Sequence, residues 1–328
     1  MTRINRHIHA VPTPMGGLAL ATASLSSAWS MLLPSHSMIL KSVLCGIAGA
    51  ALLLLWSKLL FAPHVRQEEL QHHIVGSVMP TICMATMVVA AALLPLSSAL
   101  AKVLWLSSIV IHVALALRFF YHQIHGFKLS QVMPSWFIPP VGIVVATVTA
   151  PGMGFDLLAK ALFWLGLASY WFLLPVVAYR LLFAARPLPN TLPTIAVLGA
   201  PASLCLAGYL ALFQSPNIAL VCVLAGLAVM MTALIYLAMF KLLRLEFSPA
   251  YSAFTFPMVI GASALLLLEQ RYGTALPVAL SDMVYVLARI ELALASSMVG
   301  YVVIRYLRHY AQILNQKTLK VSAGEQSL

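Results

Sequence analysis

Few side chains in this sequence could do chemistry, and most of them stand alone. Arg289 and Glu291 lie well inside a long apolar run near the C-terminus. An ionisable group at membrane depth marks a functional or pairing site. Residues two apart on a helix point to different faces, so Arg289 needs a partner elsewhere, with Glu269 and Asp282 the nearby acids. An interhelical or subunit-interface ion pair is favoured over a pore role for these charges. His112 is the histidine nearest the centre of an apolar run, and a haem or metal there would need a second ligand at similar depth, which the sequence lacks. His122 and His125, at i and i+3 near the end of a run, read as a solvated face, and the adjacent His72 and His73 do not favour a shared metal. Cys45, Cys83, Cys205 and Cys222 all sit in apolar runs without CxxC spacing, which points to packing. There is no GxxxxGK[ST], no GxGxxG after a strand, no HExxH and no DxxxD-type diphosphate cluster. ATP-driven pumping and membrane prenyl transfer therefore have nothing to carry them. The expectation is a protein that is not an enzyme, with no catalytic residue, metal or cofactor.

The elements that must position these residues follow from composition. Of 328 residues, 62% are hydrophobic and 8% charged, with mean hydropathy +0.97. A soluble domain needs about 25% charged residues to face water, so lipid is the main solvent here. The net charge of +11 comes from Lys and Arg scattered singly between apolar runs. These are membrane topology signals rather than a nucleic-acid surface. Runs long enough to cross a bilayer of about 30 Å fall at 11–33, 38–61, 75–94, 98–120, 135–151, 157–183, 191–213, 217–242, 251–269 and 282–308. The fold class expected is an all-α polytopic membrane protein of ten transmembrane helices. A short cytoplasmic segment, 1–10, precedes a transmembrane domain, 11–310, and a polar, irregular tail, 311–328, follows it. The first run exceeds a signal-peptide core and carries Pro12 and Pro14 near its start, so it reads as an uncleaved helix. Fourteen Lys and Arg fall on the side of both termini and four on the other, which makes both ends cytoplasmic.

Prolines divide the ten runs into two kinds. Pro14, Pro80, Pro139 with Pro140, Pro201 and Pro257 mark the odd-numbered runs, spaced by about 66, 59, 61 and 56 residues, while the even runs have one interior proline, Pro175. That spacing is a repeat of helical hairpins. Proline costs a backbone hydrogen bond and bends a helix, which is tolerable where the freed backbone is buried in protein or lines a cavity. Five bent helices around an axis with five straighter ones outside would make a pore; packing by Pro and Gly alone is the competing account. The odd runs carry no Asp, Glu, Lys or Arg except Glu269 at the last position of the ninth, whereas ion-coupled transport usually places carboxylates at mid-membrane. They offer hydroxyls instead, among them Thr22, Thr81, Thr147, Ser203 and Thr255. Broken helices expose amide N–H groups and a positive dipole end, so an uncharged, hydroxyl-bearing conduit suits small anions. Ser and Thr that bond their own backbone are the alternative.

Four stretches in chain order resemble one family. Phe247 to Met258 reads FSPAYSAFTFPM, with AFTFP opening the ninth run; Pro12-Thr13 through Gly17 to Ala28-Trp29 matches a first helix; PSWFIP at Pro134–Pro139 matches the start of a fifth; and His73 followed by an apolar run with Pro80 is similar to a third. Together they resemble the tellurite-resistance and C4-dicarboxylate transporter (TDT) family, which includes bacterial TehA, yeast malate and sulfite exporters and plant slow anion channels. His73-Ile74 stands where many members have His-Pro. The resemblance implies five hairpins around a central pore, assembled as a homotrimer with one pore per subunit. It implies a phenylalanine plug on the ninth helix, which by motif position is Phe256, and a glycine on the first helix that makes room for it, Gly17. Pro14, Pro80, Pro139, Pro140, Pro201 and Pro257, with the five hydroxyls named above, become candidate pore-lining residues. The expected function is a gated channel for small inorganic or organic anions in a plasma (bacterial inner) membrane. A proton-coupled carrier of C4-dicarboxylate, sulfite or tellurite-type oxyanions is the alternative on the same fold.

Overall fold

The structure is a computed structural model that describes residues 11–184 and 188–325. The expected N-terminal segment 1–10, with Arg3 and Arg6, and Arg186 lie outside the described residues. No strand occurs among the described residues. This fits a solvent in which each span must satisfy its own backbone. The helices are α1 (Met15–Leu32), α2 (Ser37–Phe61), α3 (Pro63–Gln71), α4 (Val75–Val78), α5 (Thr81–Leu93), α6 (Ser98–Ile124), α7 (Ile138–Val141), α8 (Val145–Val148), α9 (Asp156–Phe183), α10 (Ala200–Leu212), α11 (Ile218–Leu242), α12 (Thr255–Tyr272) and α13 (Val278–Glu325). Eight helical stretches among the described residues are long and apolar enough to cross a membrane. Two shorter apolar segments, α1 and Pro134–Val148, lie among them. The protein is an integral membrane protein.

The long helices α2, α6, α9, α11 and α13 are continuous. Asn217 Oδ1 caps α11 by accepting from the amides of Ala219 and Leu220 at 2.9 and 3.3 Å. Lys58, Arg180 and Lys241 stand in the last turns of α2, α9 and α11, where the negative end of the helix dipole favours them. One face of each packs inward and the other carries exposed large apolar residues such as Leu53, Phe172 and Phe240. Pro175 sits within α9 without ending it.

The odd segments are built differently. Three of them open with 3-10 turns, at Pro134–Phe137, Pro189–Gly199 and Pro249–Phe254, before becoming α-helical. The third is interrupted between α4 and α5. Interior bends were the expectation from the prolines. Instead Pro14 and Pro80 are the caps of α1 and α5, and Pro201 and Pro257 fall in the first turns of α10 and α12. A first-turn proline lacks only an N–H that would have had no intrahelical partner, and its fixed φ suits a helix start. The fifth segment is the most broken, passing from α7 through a 3-10 turn, Gly142–Val144, into α8. It ends in a turn where Gly152 and Gly154 hold φ of +82° and +79°, a conformation that favours glycine.

The odd segments contact one another in a closed order: α1 with α5, α5 with α8, α8 with α10, α10 with α12, and α12 with α1. Each also packs against the long helix that follows it. Two features depart from the sequence expectation. The short α3 occupies the loop between the second and third segments, and α13 continues to Glu325 where an irregular tail was expected from 311.

Candidate functional site

The beginnings of all five odd segments converge on one cavity. Gly17 and Leu20 come from α1, Val78 and Thr81 from the third segment, Phe137 and Val141 from the fifth, Thr194 and Pro201 from the seventh, and Ser252 and Phe256 from the ninth. Among the described residues no Asp, Glu, Lys, Arg or His stands on its wall. Parallel helices that all start at one end turn their positive dipole ends toward it, so the cavity is uncharged yet biased toward anions.

Of the residues predicted from the sequence, Pro14, Gly17, Thr81, Pro201, Phe256 and Pro257 lie on this wall. Phe256 is 7% exposed. A Cβ built on Gly17 would meet Ser252 at 3.6 Å, an ordinary contact, so the nearest neighbour of Gly17 is Ser252. Gly17 and the ninth segment are also tied by Thr255 Oγ1, which lies 3.4 Å from the Gly17 carbonyl oxygen and donates to Ser252 O at 2.6 Å.

Pro80, Pro139, Pro140, Thr22, Thr147, Ser203 and Thr255 stand off this wall. The hydroxyls are directed to backbone: Thr22 donates to Leu18 O at 2.8 Å, Ser203 to Gly199 O at 3.1 Å and Thr147 to Ala159 O at 3.1 Å. Thr81 and Thr194 donate to Val78 O and Thr191 O at 2.6 Å in the same way while lining the wall, so the backbone bond does not by itself decide which hydroxyl-bearing residue reaches the cavity. Pro140 faces outward into a hollow with Phe120, Phe172 and Leu173. The Pro139 carbonyl accepts from His112 Nε2 at 2.9 Å, so this buried histidine braces the broken fifth segment. Thr194 and Ser252 are wall hydroxyls that sequence reasoning missed. Ser252 lies inside the quoted motif, whereas Thr194 had no signal beyond its run.

A second constellation missed from the sequence anchors the chain just before α1. Lys58 Nζ, 3% exposed, donates to Val11 O at 2.8 Å, Thr13 Oγ1 at 2.9 Å and Glu69 Oε1 at 2.6 Å. Thr13 Oγ1 donates in turn to Glu69 Oε2 at 2.7 Å. A residue read as a topology signal thus ties α2, α3 and the start of α1 beside the cavity. Near the opposite end Arg289 pairs with Glu269, one of the two acids named for it from the sequence, and stacks on Tyr285 at 3.4 Å from the ring centroid. In the loop between α3 and α4, Trp136 Nε1 donates to His73 O at 3.1 Å. Partial burial, then the neighbouring His72, lowers the His73 pKa from its ordinary value. Among the described residues no three potential metal ligands cluster.

A closed ring of shorter helices around one cavity, wrapped by longer helices with exposed apolar faces, is the build of a polytopic membrane protein. The sequence bears this out. Residues 11–307 match the voltage-dependent anion channel model, SLAC1, and the chain belongs to that family. This establishes the resemblance drawn from the AFTFP segment. The chain is also 29% identical, over 142 residues, to an uncharacterized transporter of Methanocaldococcus jannaschii, a match covering 39% of this chain and 41% of that protein. The chain thus spans about two fifths of the length of the curated relative it matches.

Proposed function

We propose that this protein is a gated channel for small anions. In this reading ten spans form five hairpins around the pathway, both termini are cytoplasmic, and the cavity is a cytoplasmic vestibule of a pore in the plasma membrane. Phe256 closes the pathway, because an aromatic ring across an apolar constriction excludes water. Gly17, Ser252 and the Thr255 hydroxyl form the collar against which that segment seats. Assembly as a homotrimer with one pathway per subunit belongs to the same reading and rests on the family resemblance. The observation that carries it is the convergence of five parallel helix starts on one uncharged cavity that includes Phe256. Such a wall attracts an anion weakly enough to release it, and it offers no carboxylate to bind a coupling ion.

Planar-bilayer current under an anion gradient tests the reading. Phe256→Ala is expected to raise the current about tenfold or more, equivalent to ~1.4 kcal/mol of barrier, with reversal near the anion equilibrium potential. Silence in wild type and in a correctly folded Phe256→Ala would sink it and turn attention to the coupled carrier.

A further inference from the structure

Glu291 is the buried charge-bearing residue that the architecture leaves unpaired. It is 7% exposed, and its Oε2 has no hydrogen-bond partner. The carboxyl projects from α13 over Gly261 of α12, where a Cβ would come within 2.8 Å of Oε2 and 3.5 Å of Thr232 Oγ1 on α11. Glycine 261 is therefore a notch through which α13 and α11 present polar groups to each other across the ninth segment. Tyr236, one turn from Thr232 on α11, has a buried hydroxyl that also lacks a partner.

Among the described residues no cation faces this carboxyl. From α11 the groups are Thr232 and Tyr236, both neutral. On α12 the one acid, Glu269, is held by Arg289, and Arg271 is engaged by the carbonyls of Phe213 and Gln214. Arg289 lies two residues from Glu291 on α13, on another face, and is occupied by the same pair. From α1 comes Trp29, whose Nε1 donates to Ser296 Oγ at 2.9 Å, and α1 has no titratable side chain. An ionised carboxylate buried without a counter-charge costs far more than a neutral carboxyl there.

We propose that Glu291 is a proton-binding site whose occupancy sets the seating of the ninth segment. With its proton, the carboxyl packs in the Gly261 notch and α12 stays against α13. Without it, the carboxylate draws water into the notch and moves α12, which carries Phe256 just over one turn from Gly261. Transport then rises with pH. The link to flux rests on the gate reading above, whereas the proton site does not.

Two measurements on the full-length protein separate those claims. The first is an infrared difference spectrum between about pH 5 and pH 8. It should show a protonated-carboxyl carbonyl band that fades at high pH in wild type and is missing from Glu291→Gln, an isosteric and permanently neutral variant. The second is chloride efflux from vesicles over the same range, rising several-fold toward alkaline pH in wild type and staying low and flat in Glu291→Gln. Glu291→Asp, which keeps a titrating carboxyl, should restore the slope. The same infrared change in Glu291→Gln as in wild type overturns the proton site. A missing band with the flux profile unaltered overturns its control of the ninth segment. The gate is judged apart from both, by whether Phe256→Ala raises efflux at a single pH.

Discussion

The inner and outer helices of this protein are both apolar, yet they meet opposite packing demands. The most apolar 18-residue window of Pro249–Tyr272 is 89% buried, whereas that of Ile218–Leu242, which is more apolar, is 28% buried. Hydropathy alone does not sort inner from outer, because the window of Val278–Gln312 is the least apolar of the eight and is 33% buried; the inner segments are instead rich in small and polar residues. Glycines draw the same line. A Cβ on Gly16 of α1 would fall 2.5 Å from Thr81 Oγ1 and 2.9 Å from Ile82 Cγ1, and one on Gly208 of α10 would fall 2.8 Å from Val144 Cγ1. Gly46, Gly49, Gly226 and Gly300 on the outer helices have nothing within 4 Å. Gly166 of α9 shows that the boundary follows the face rather than the helix, since its Cβ would lie 2.3 Å from Val144 Cγ2 of the fifth segment. Ion pairs divide likewise. Lys58 is enclosed beside the cavity, while Arg289 at 30% side-chain exposure lies near the rim.

These contrasts can be broken by substitution, and the largest effect is expected at the enclosed pair. Lys58→Met removes the donor that serves Val11, Thr13 and Glu69 and should cost about 3 kcal/mol, read as a fall in melting temperature in detergent. A loss no greater than that of a rim charge would show that the latch before α1 does not hold the ring. Gly16→Ala comes next. It forces α1 from α5 and should cost about 1–3 kcal/mol. Its control is Gly226→Ala, which should leave stability unchanged or raise it by up to about 1 kcal/mol. Equal damage from the two would erase the distinction between inner and outer faces. Arg289→Met should have the smallest effect, about 1 kcal/mol or less in thermal stability, because its pair is partly solvated.

Much of this architecture was legible along the chain. Apolar runs at 38–61, 157–183 and 217–242 agree within a residue with α2, α9 and α11. Helix length in a bilayer is a local property, written in consecutive side chains. Proline positions located the odd segments correctly, but their effect was misjudged, since proline is equally at home in a first turn and at a bend. The Arg289 partner could be narrowed to Glu269 or Asp282 because helical spacing excluded Glu291, and the structure chose Glu269. Other contacts had no local signal. Glu69 lies in a short polar stretch that reads as loop, and only the folding of α3 against α2 brings it to Lys58. Thr22, Ser203 and Thr147 resemble Thr194 and Ser252 in sequence, and what separates them is rotation about the helix axis. By itself, then, the sequence determined the membrane class, the bounds of several long helices and the family, all of which depend on consecutive residues and a short motif. The tertiary structure decided which hydroxyls reach the cavity, which glycines are crowded and which of two neighbouring charges has a partner. Those outcomes depend on how rigid helices are turned toward one another, and a run of apolar residues carries little information about rotation.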